Sequence, residues 1–241
     1  FKLLGAVVAT YMAALQDGVR RLRGYGVNAY LVEADDGGPT LVDTGTPWDA
    51  DAIQTGVKRA GAALADVERV LLTHYDLDHV GGLTGLERRG LDAPVYAAAP
   101  YAAWTQGTDA PPATNHQGLL QRAMRLPLDA TSLRVERVAD GDRIGPFDAY
   151  RTPGHTPGHV AYEHDERSAL FVGDLVLERR GCLRVSPWLL SYDTQAVTES
   201  IVDLADRAPA AELLAMGHGD PVREGGSVTL ARLAAAAARR S

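Results

Sequence analysis

The sequence predicts an α/β fold in which β-sheets are covered by helices. Short apolar runs of strand composition recur along the chain, and stretches of helical periodicity lie between them in both halves. Several predicted strands also end in short polar motifs, as expected where a rigid sheet presents functional groups. The chain has 241 residues and no linker rich in Pro, Gly and Ser, so we expect a single domain over residues 1–241.

The N-terminal half is predicted to begin its sheet with a hairpin. Residues 27–33 and 40–42 have strand composition, and the turn Asp35-Asp36-Gly37-Gly38 lies between them. The elements that follow alternate helical periodicity with short apolar runs. Helices are predicted over residues 50–63 and 82–89, strands over residues 67–72 and 95–98, and a long loop or insertion over residues 101–125.

The C-terminal half is predicted to alternate strands with turns and to end in helices. Asp193 or Thr194 can cap a helix that runs to about residue 206, with Val197, Ile201 and Leu204 on one face. Gly, Asp and Pro separate the other apolar runs, as expected for turns between strands. Strands are predicted over residues 133–138, 147–151, 160–163, 169–172 and 213–216, and an Ala-rich helix over residues 227–240.

The bulk composition excludes some classes of function. The formal net charge is −7, so a basic nucleic-acid-binding surface is not expected. No apolar run reaches the roughly 18–20 residues that span a bilayer, so no membrane partner is expected. The lone cysteine, Cys182, cannot form a disulfide within the chain and fits a reducing, cytoplasmic location. Residues 1–22 are expected to belong to the fold, with a signal-peptide remnant as the alternative.

Five short polar motifs each follow a predicted strand. A rigid sheet can aim several loops at one point, so we expect the five motifs to meet. Their imidazole and carboxylate side chains are ligands of zinc, iron and manganese. The motifs are Asp43-Thr44-Gly45, the stretch from His74 to His79, Gly154-His155, Gly173-Asp174 and Gly217-His218.

The candidate ligands are too many for one metal ion. Residues two apart face the same side of an extended segment, so His74, Asp76 and Asp78 are expected to converge, while His79 can reach a second centre. One ion takes three or four protein ligands, so this set suits two ions that share one carboxylate and a water. The candidates are His74, Asp76, Asp78, His79, His155, Asp174 and His218.

At these residues the chain resembles the metallo-β-lactamase superfamily, in the branch that includes glyoxalase II-like thioesterases and lactonases. That family's hallmark is His-x-His-x-Asp-His, followed by a later His, a bridging Asp and a final His. The resemblance extends from about Asn28 to Pro221. It implies an αββα sandwich, in which two mixed sheets pack face to face, helices cover the outer faces, and the metal ions lie at one edge between the sheets.

The resemblance also implies a role for each residue. The early Asp43 is expected to orient a ligand loop, and His159 is expected to support the site without binding metal. The long loop and the segment around residues 179–193 are expected to supply the pocket walls. The first metal would be held by His74, Asp76 and His155, the second metal would be held by Asp78, His79 and His218, and Asp174 would bridge the two. The candidate pocket residues are Trp104, His116, Arg184, Trp188 and Tyr192.

Asp76 departs from the family pattern, which has His at this position. If Asp76 replaces His as a ligand, its added negative charge favours ions that prefer oxygen ligands. If it does not, the first site is weak or empty and the centre is mononuclear. We expect two divalent ions, zinc first, with manganese or iron as alternatives. Of the remaining histidines, His164 is expected to be solvated in a polar turn, whereas His116 could reach a substrate.

The resemblance implies a metal-dependent hydrolase acting on a small-molecule ester, lactone or thioester. A metal-bridging hydroxide would attack, and Asp78 could also shuttle a proton to the leaving group. A β-lactamase is not expected, because the bridging position is Asp174 where the best-known zinc β-lactamases carry Cys. The alternatives are a mononuclear iron sulfur-oxygenase resembling persulfide dioxygenases, a phosphodiesterase, and a non-catalytic binding module on the same scaffold. A homodimer is left open.

Overall fold

The computed structural model describes residues 12–33, 37–110, 116–124 and 128–239. The turn predicted at Asp35-Asp36 and the first part of the N-terminal stretch considered as a leader lie outside these residues. In the described part of the chain, no helix is long and apolar enough to cross a membrane.

The first sheet has its strands in chain order, β1 to β7. Its first four strands pair antiparallel, and the pairs from β4 to β7 are parallel. The predicted hairpin is confirmed, because Tyr30 pairs with Val42. The strands are β1 (Met12–Gln16), β2 (Val19–Arg23), β3 (Asn28–Val32), β4 (Thr40–Val42), β5 (Arg69–Leu71), β6 (Val95–Ala98) and β7 (Val135–Val138).

The second sheet has the order β14-β11-β10-β9-β8. Only its β11–β14 pair is parallel, so both sheets are mixed. A separate antiparallel hairpin is formed by β12 and β13. The strands are β8 (Arg143–Ile144), β9 (Phe147–Arg151), β10 (Val160–His164), β11 (Ala169–Gly173), β12 (Val176–Arg179), β13 (Cys182–Val185) and β14 (Leu213–Met216).

The four predicted helices are present, with boundaries shifted by a few residues, and the described residues form three further helices between residues 77 and 124. The long C-terminal helix α6 begins where Asp193 caps it, since the Asp193 carboxylate accepts hydrogen bonds from Gln195 N and Ala196 N. The described helices are α1 (Ala50–Arg59), α2 (Leu77–Val80), α3 (Leu83–Glu87), α4 (Ala99–Thr105), α5 (His116–Met124), α6 (Thr194–Arg207) and α7 (Gly226–Ala238), and 3-10 turns cover Leu64–Asp66 and Trp188–Leu190.

Alternate residues of the second sheet face two different cores. Phe171 of β11 packs against Tyr30 of the first sheet, with the ring centroids 5.4 Å apart. Its neighbour Leu170 faces the opposite core, where Ile201 of α6 and Leu230 of α7 are buried. Since α1 buries Ile53 against the first sheet, helices cover the outer faces of both sheets. The predicted αββα sandwich is therefore confirmed.

Two parts of the secondary-structure prediction are wrong. The long loop predicted over residues 101–125 is largely helical, because Tyr101 and Trp104 of α4 are drawn into the core and α5 follows. The strands β1, β2, β8, β12 and β13 and the short helix α2 were not predicted either. β2 has three arginines in five residues and buries only Val19 and Leu22, so its sequence lacks the apolar pattern of a strand.

Hydrogen bonds between the two sheets hold the strand ends next to the polar motifs. Tyr30 donates its hydroxyl to the carbonyl oxygen of Met216 at 2.6 Å, at the end of β14. Tyr162 of β10 donates to the carbonyl oxygen of Leu72 at 3.1 Å, just after β5. The ends of β5 and β14, which precede two of the histidine motifs, are thereby tied to the opposite sheet.

Candidate metal centre

The candidate ligands lie in segments that follow strands, and two of them, Asp78 and His79, lie in the short helix α2. His74 follows β5, Asp174 follows β11, and His218 follows β14, as predicted. The expected convergence of His74, Asp76 and Asp78 on an extended segment is wrong. Asp76 is the N-cap residue of α2, and the helical turn carries Asp78 away from His74 and towards His218.

Three of the candidate ligands form what we call the first group: His74, Asp76 and His155. Their ligand atoms all lie within 4.8 Å of one another. Asp76 Oδ2 is 3.6 Å from His74 Nε2 and 3.3 Å from His155 Nε2. One ion placed among these atoms would have two imidazoles and a carboxylate, a donor set that zinc and iron both accept.

The second group consists of Asp78, His79 and His218, whose ligand atoms also lie within 4.8 Å of one another. Asp78 Oδ2 is 3.2 Å from His218 Nε2. His79 is buried, whereas the His218 side chain is 31% exposed, so this group forms the more open side of the centre.

Asp174 lies between the two groups. Its Oδ1 is 3.4 Å from His79 Nε2, and its Oδ2 is 3.2 Å from His218 Nε2 and 3.9 Å from His155 Nε2. His74, His79 and Asp174 also form a set of ligand atoms within 4.8 Å. A single buried carboxylate thus contacts both groups, which is the arrangement that a pair of ions with a shared ligand requires.

Each histidine of the centre is held through Nδ1. His79 Nδ1 donates to Asp43 Oδ2 and His218 Nδ1 donates to the Gly26 carbonyl oxygen, both at 2.8 Å. His155 Nδ1 lies 3.0 Å from Ser186 Oγ, and His74 Nδ1 lies 3.0 Å from Thr73 Oγ1. These contacts orient the rings and leave every Nε2 to face the centre, as is usual for metal-binding histidines.

The centre fits metal ions on structural grounds. The Nε2 atoms of His74 and His155 and Oδ1 of Asp174 are buried, and no described residue gives them a hydrogen bond. Buried polar atoms rarely stay unpaired, and a cation would satisfy all three. Gly217 also keeps the space open, since a side chain at that position would overlap Asp174 Oδ1 and the His79 ring.

The electrostatics of the centre favour a cation. Burial lowers the pKa of His79, but the carboxylates of Asp174 and Asp43 outweigh burial and raise this pKa well above its ordinary value. Burial likewise lowers the pKa of His218, yet Asp174 raises it to about 10. Burial raises the pKa of Asp174, but His218 and His79 hold it well below its ordinary value. The carboxylates of Asp43 and Asp174 therefore favour positive charge on this side of the centre, which metal ions would supply.

Asp43 and His159 support the ligands. Asp43 adopts a left-handed backbone conformation with φ 60°, which Asp tolerates better than most residues, and its Oδ1 accepts a hydrogen bond from Thr73 N at 2.8 Å. His159 Nε2 accepts from Asp174 N at 3.2 Å, so its Nδ1 carries the proton and donates to Thr152 Oγ1. Both residues hold ligand segments without joining either group.

The predicted pocket residues fall in different places. Trp104 is 4% exposed and packs against Tyr75 and Tyr101, so it belongs to the core rather than to a pocket wall. Trp188 is 65% exposed, and its ring centroid lies 4.6 Å from that of His116 at the start of α5.

Arg184 lies on β13 and lines a groove of about 960 Å³ between that strand and parts of α6 and α7. Ser186 also lines this groove, and its hydroxyl contacts His155. Cys182 lines it too and is exposed, so it is a surface thiol. The prediction for His164 is wrong: it is 2% exposed at the end of β10, with its ring against Phe147.

Several residues that contact candidate ligands were not predicted from the sequence, among them Gln121 and Ser186, which lie far along the chain from the ligands they contact. Gln121 of α5 is 5% exposed, and its side-chain amide donates a hydrogen bond to Asp76 Oδ1. Ser186 receives a hydrogen bond from Ser191 Oγ at 3.0 Å and in turn contacts His155. Neither lies in a motif. The one available signal was the i, i+4 pair of Gln117 and Gln121, two amides on one face of a short helix.

Comparisons with known proteins agree with this geometry. A family model for the metallo-beta-lactamase superfamily matches residues 22–218. The probable metallo-hydrolase YflN of Bacillus subtilis (strain 168) is 29% identical over 203 residues, which cover 76% of this chain and 75% of that protein. The hydroxyacylglutathione hydrolase of Rhodopseudomonas palustris (strain BisB18) is 33% identical over 158 residues, which cover 65% of this chain and 50% of that protein.

A solved structure is similar over nearly the whole chain. The crystal structure of TTHA1623 in a di-iron-bound form is 31% identical, with a TM-score of 0.65, and the match covers 89% of this chain and 95% of that one. The family model spans well over half of the 241 residues. This chain belongs to the metallo-beta-lactamase superfamily.

Proposed function

We propose that the protein is a hydrolase that binds two divalent metal ions and cleaves a small thioester, with esters and lactones as related substrates. The observation that carries this proposal is the position of Asp174, whose two oxygens contact ligands of both groups. Two ions that share a carboxylate form a hydrolytic centre found in several enzyme classes. A single-iron oxygenase would give the complete second group no role.

Bound divalent ions polarise a scissile carbonyl and lower the pKa of water to about 7, so that hydroxide is available near neutral pH. The chain's own residues supply the rest of the chemistry. Four histidines, His74, His79, His155 and His218, would hold the ions through Nε2, because their Nδ1 atoms are held by other groups. No serine or cysteine nucleophile is needed.

Asp78 is placed to move a proton. Burial raises the pKa of its carboxyl group, but the hydrogen bond with His218 and the nearby His79 outweigh burial and keep the pKa below its ordinary value. Asp78 is therefore ionised at neutral pH. Its side chain is 36% exposed, so Oδ2 can accept a proton within the centre and release it to a leaving group or to solvent.

The similarity to hydroxyacylglutathione hydrolase supports a thioester as the first substrate to test, because hydroxyacylglutathione is a thioester. This chain spans half the length of that relative, so glutathione recognition is not carried over. Zinc is the first ion to test. The di-iron-bound form of TTHA1623 makes iron the first alternative, and the carboxylate in the first group makes manganese the second.

The proposal is tested by loading the metal-free protein with zinc, iron or manganese and assaying an acyl thioester, a lactone, an aryl ester and a bis-aryl phosphodiester. We expect thioester, ester or lactone turnover that a chelator abolishes. Asp174→Asn should lose it by about 10²-fold or more, whereas Asp203→Asn on the exposed face of α6 should leave it unchanged. A metal-loaded protein that is inert towards all three carboxylic substrates contradicts the proposal, and turnover of the phosphodiester alone would assign a phosphodiesterase instead.

A further inference from the structure

Asp76 is held differently from the other ligands of the first group. Its Oδ2 faces His74 and His155, whereas its Oδ1 accepts a hydrogen bond from the Gln121 side-chain amide. A histidine ligand is oriented by one contact at Nδ1, because its ring is rigid. A carboxylate has two equivalent oxygens and a broad torsional preference, so it needs a partner on one oxygen to present the other.

The orientation of the Gln121 amide follows from its neighbours. The Asp76 carboxylate and the Tyr75 carbonyl oxygen can only accept hydrogen bonds, so Gln121 Nε2 must face both of them. The distance from Gln121 Nε2 to the Tyr75 carbonyl oxygen is 3.2 Å. Oε1 is then left to accept the hydroxyl hydrogen of Tyr192 at 2.8 Å. Every group of this buried amide is used, and turning it over would place two acceptors against each other.

Tyr192 also connects this contact to another ligand. Its backbone N–H donates to the carbonyl oxygen of His155 at 3.0 Å. The hydrogen bonds therefore run from the His155 backbone through Tyr192 and Gln121 to Asp76, and they link two ligands of the first group. Since Gln121 lies on α5 and Tyr192 follows the Trp188–Leu190 turn, two elements outside the ligand motifs fix the geometry of this group.

We propose that Gln121 is a positioning residue that makes Asp76 a working ligand of the first metal ion, and that Tyr192 fixes the Gln121 amide for this task. The inference rests on the proposed metal centre. The geometry of the first group then depends on α5. The second group does not depend on α5, because its ligands contact neither Gln121 nor Tyr192 among the described hydrogen bonds.

The test measures metal affinity rather than turnover. Gln121→Leu removes the amide and keeps a similar volume, and the matched control Gln117→Leu changes another buried glutamine of α5 that does not contact Asp76. Each variant is made in the wild type and in Asp76→Ala, which has no carboxylate for the amide to hold. Zinc is titrated against a chromophoric chelator, and the absorption spectrum of Co²⁺ reports the coordination of each site.

We expect Gln121→Leu to weaken one of the two ions by about 10–100-fold, to change the Co²⁺ spectrum of that site, and to leave the other ion unchanged. Gln117→Leu should change neither. In the Asp76→Ala background, where the amide has no carboxylate to position, the effect of Gln121→Leu should vanish. If Gln121→Leu does not fold, Tyr192→Phe removes only the hydroxyl, and it should weaken the same ion by several-fold.

Two results would overturn the inference. One is wild-type affinity for both ions in the folded Gln121→Leu variant, or in Tyr192→Phe if that variant has to be used. The other is an equal loss in the Asp76→Ala background, which would mean that the amide supports the fold rather than Asp76. A wild-type protein that binds no ion would instead refute the proposed function itself, and the inference with it.

Discussion

The substitution Asp43→Asn tests how the second group is prepared for metal. Asp43 Oδ1 accepts from Thr73 N, and Oδ2 accepts from both Thr73 Oγ1 and His79 Nδ1, each at 2.8 Å. In the Asp43→Asn variant the side-chain carbonyl oxygen can keep the Thr73 N–H, so the new NH₂ group faces His79. His79 Nδ1 must then accept, and the ring proton moves to Nε2, the atom that a metal ion needs.

The expected loss is about 10–100-fold in affinity for one ion, which corresponds to about 1.4–2.7 kcal/mol. The fold should survive, because the shape and the bond to Thr73 N are kept. Titration of the metal-free variant with zinc measures the loss. Asp49→Asn is the matched control: Asp49 is also a buried carboxylate that accepts backbone hydrogen bonds, from Tyr25 N and Thr46 N, but it contacts no ligand. Affinity for both ions within about twofold of wild type in Asp43→Asn would refute the tautomer reasoning.

The remaining predictions concern pH and the core. Metal affinity should decrease as the pH is lowered, by up to about tenfold per pH unit for each proton displaced, because the raised pKa values of His79 and His218 mean that ions must displace protons. Calorimetry in buffers of different ionisation enthalpy should detect the protons released on metal binding. Metal binding without proton release would contradict this prediction. Burial raises the pKa of Glu163 from 4.5 to about 7, so the folded state holds this proton more tightly than the unfolded state does. Stability should therefore be lost as the pH rises from about 4.5 through 7. Glu163→Gln should flatten that part of the plot of melting temperature against pH, and an unchanged plot would contradict the prediction. Trp104→Ala should cost about 3–5 kcal/mol of unfolding free energy in denaturant titrations and leave zinc stoichiometry intact; loss of an ion without loss of stability would place Trp104 in the site after all.

The fold could be predicted because most strands carry strong local signals. The run before His74 is apolar and ends at polar groups, and the sequences of β11 and β14 show the same pattern of an apolar run followed by polar groups. The prediction failed where tertiary contacts decide. Trp104 was expected in a pocket wall, yet Trp104 and its neighbour Tyr101 are buried in the core as part of α4.

The convergence of the candidate ligands could be predicted because each one lies in a short motif after a strand, where the chemistry of His and Asp is distinctive. The residues that contact them could not. Gln121 is an ordinary amide 45 residues from Asp76, and only packing of α5 brings the two together. The local geometry of Asp78 was missed for a similar reason, since a single turn of helix after Asp76 changes which way the next carboxylate faces.

We propose that Asp174 joins two metal ions. Crystals of the zinc-loaded protein, in which anomalous scattering locates each ion, test this directly. We expect two peaks, one within the first group and one within the second, with Asp174 in contact with both ions. A single peak, or two peaks of which only one contacts Asp174, would contradict it.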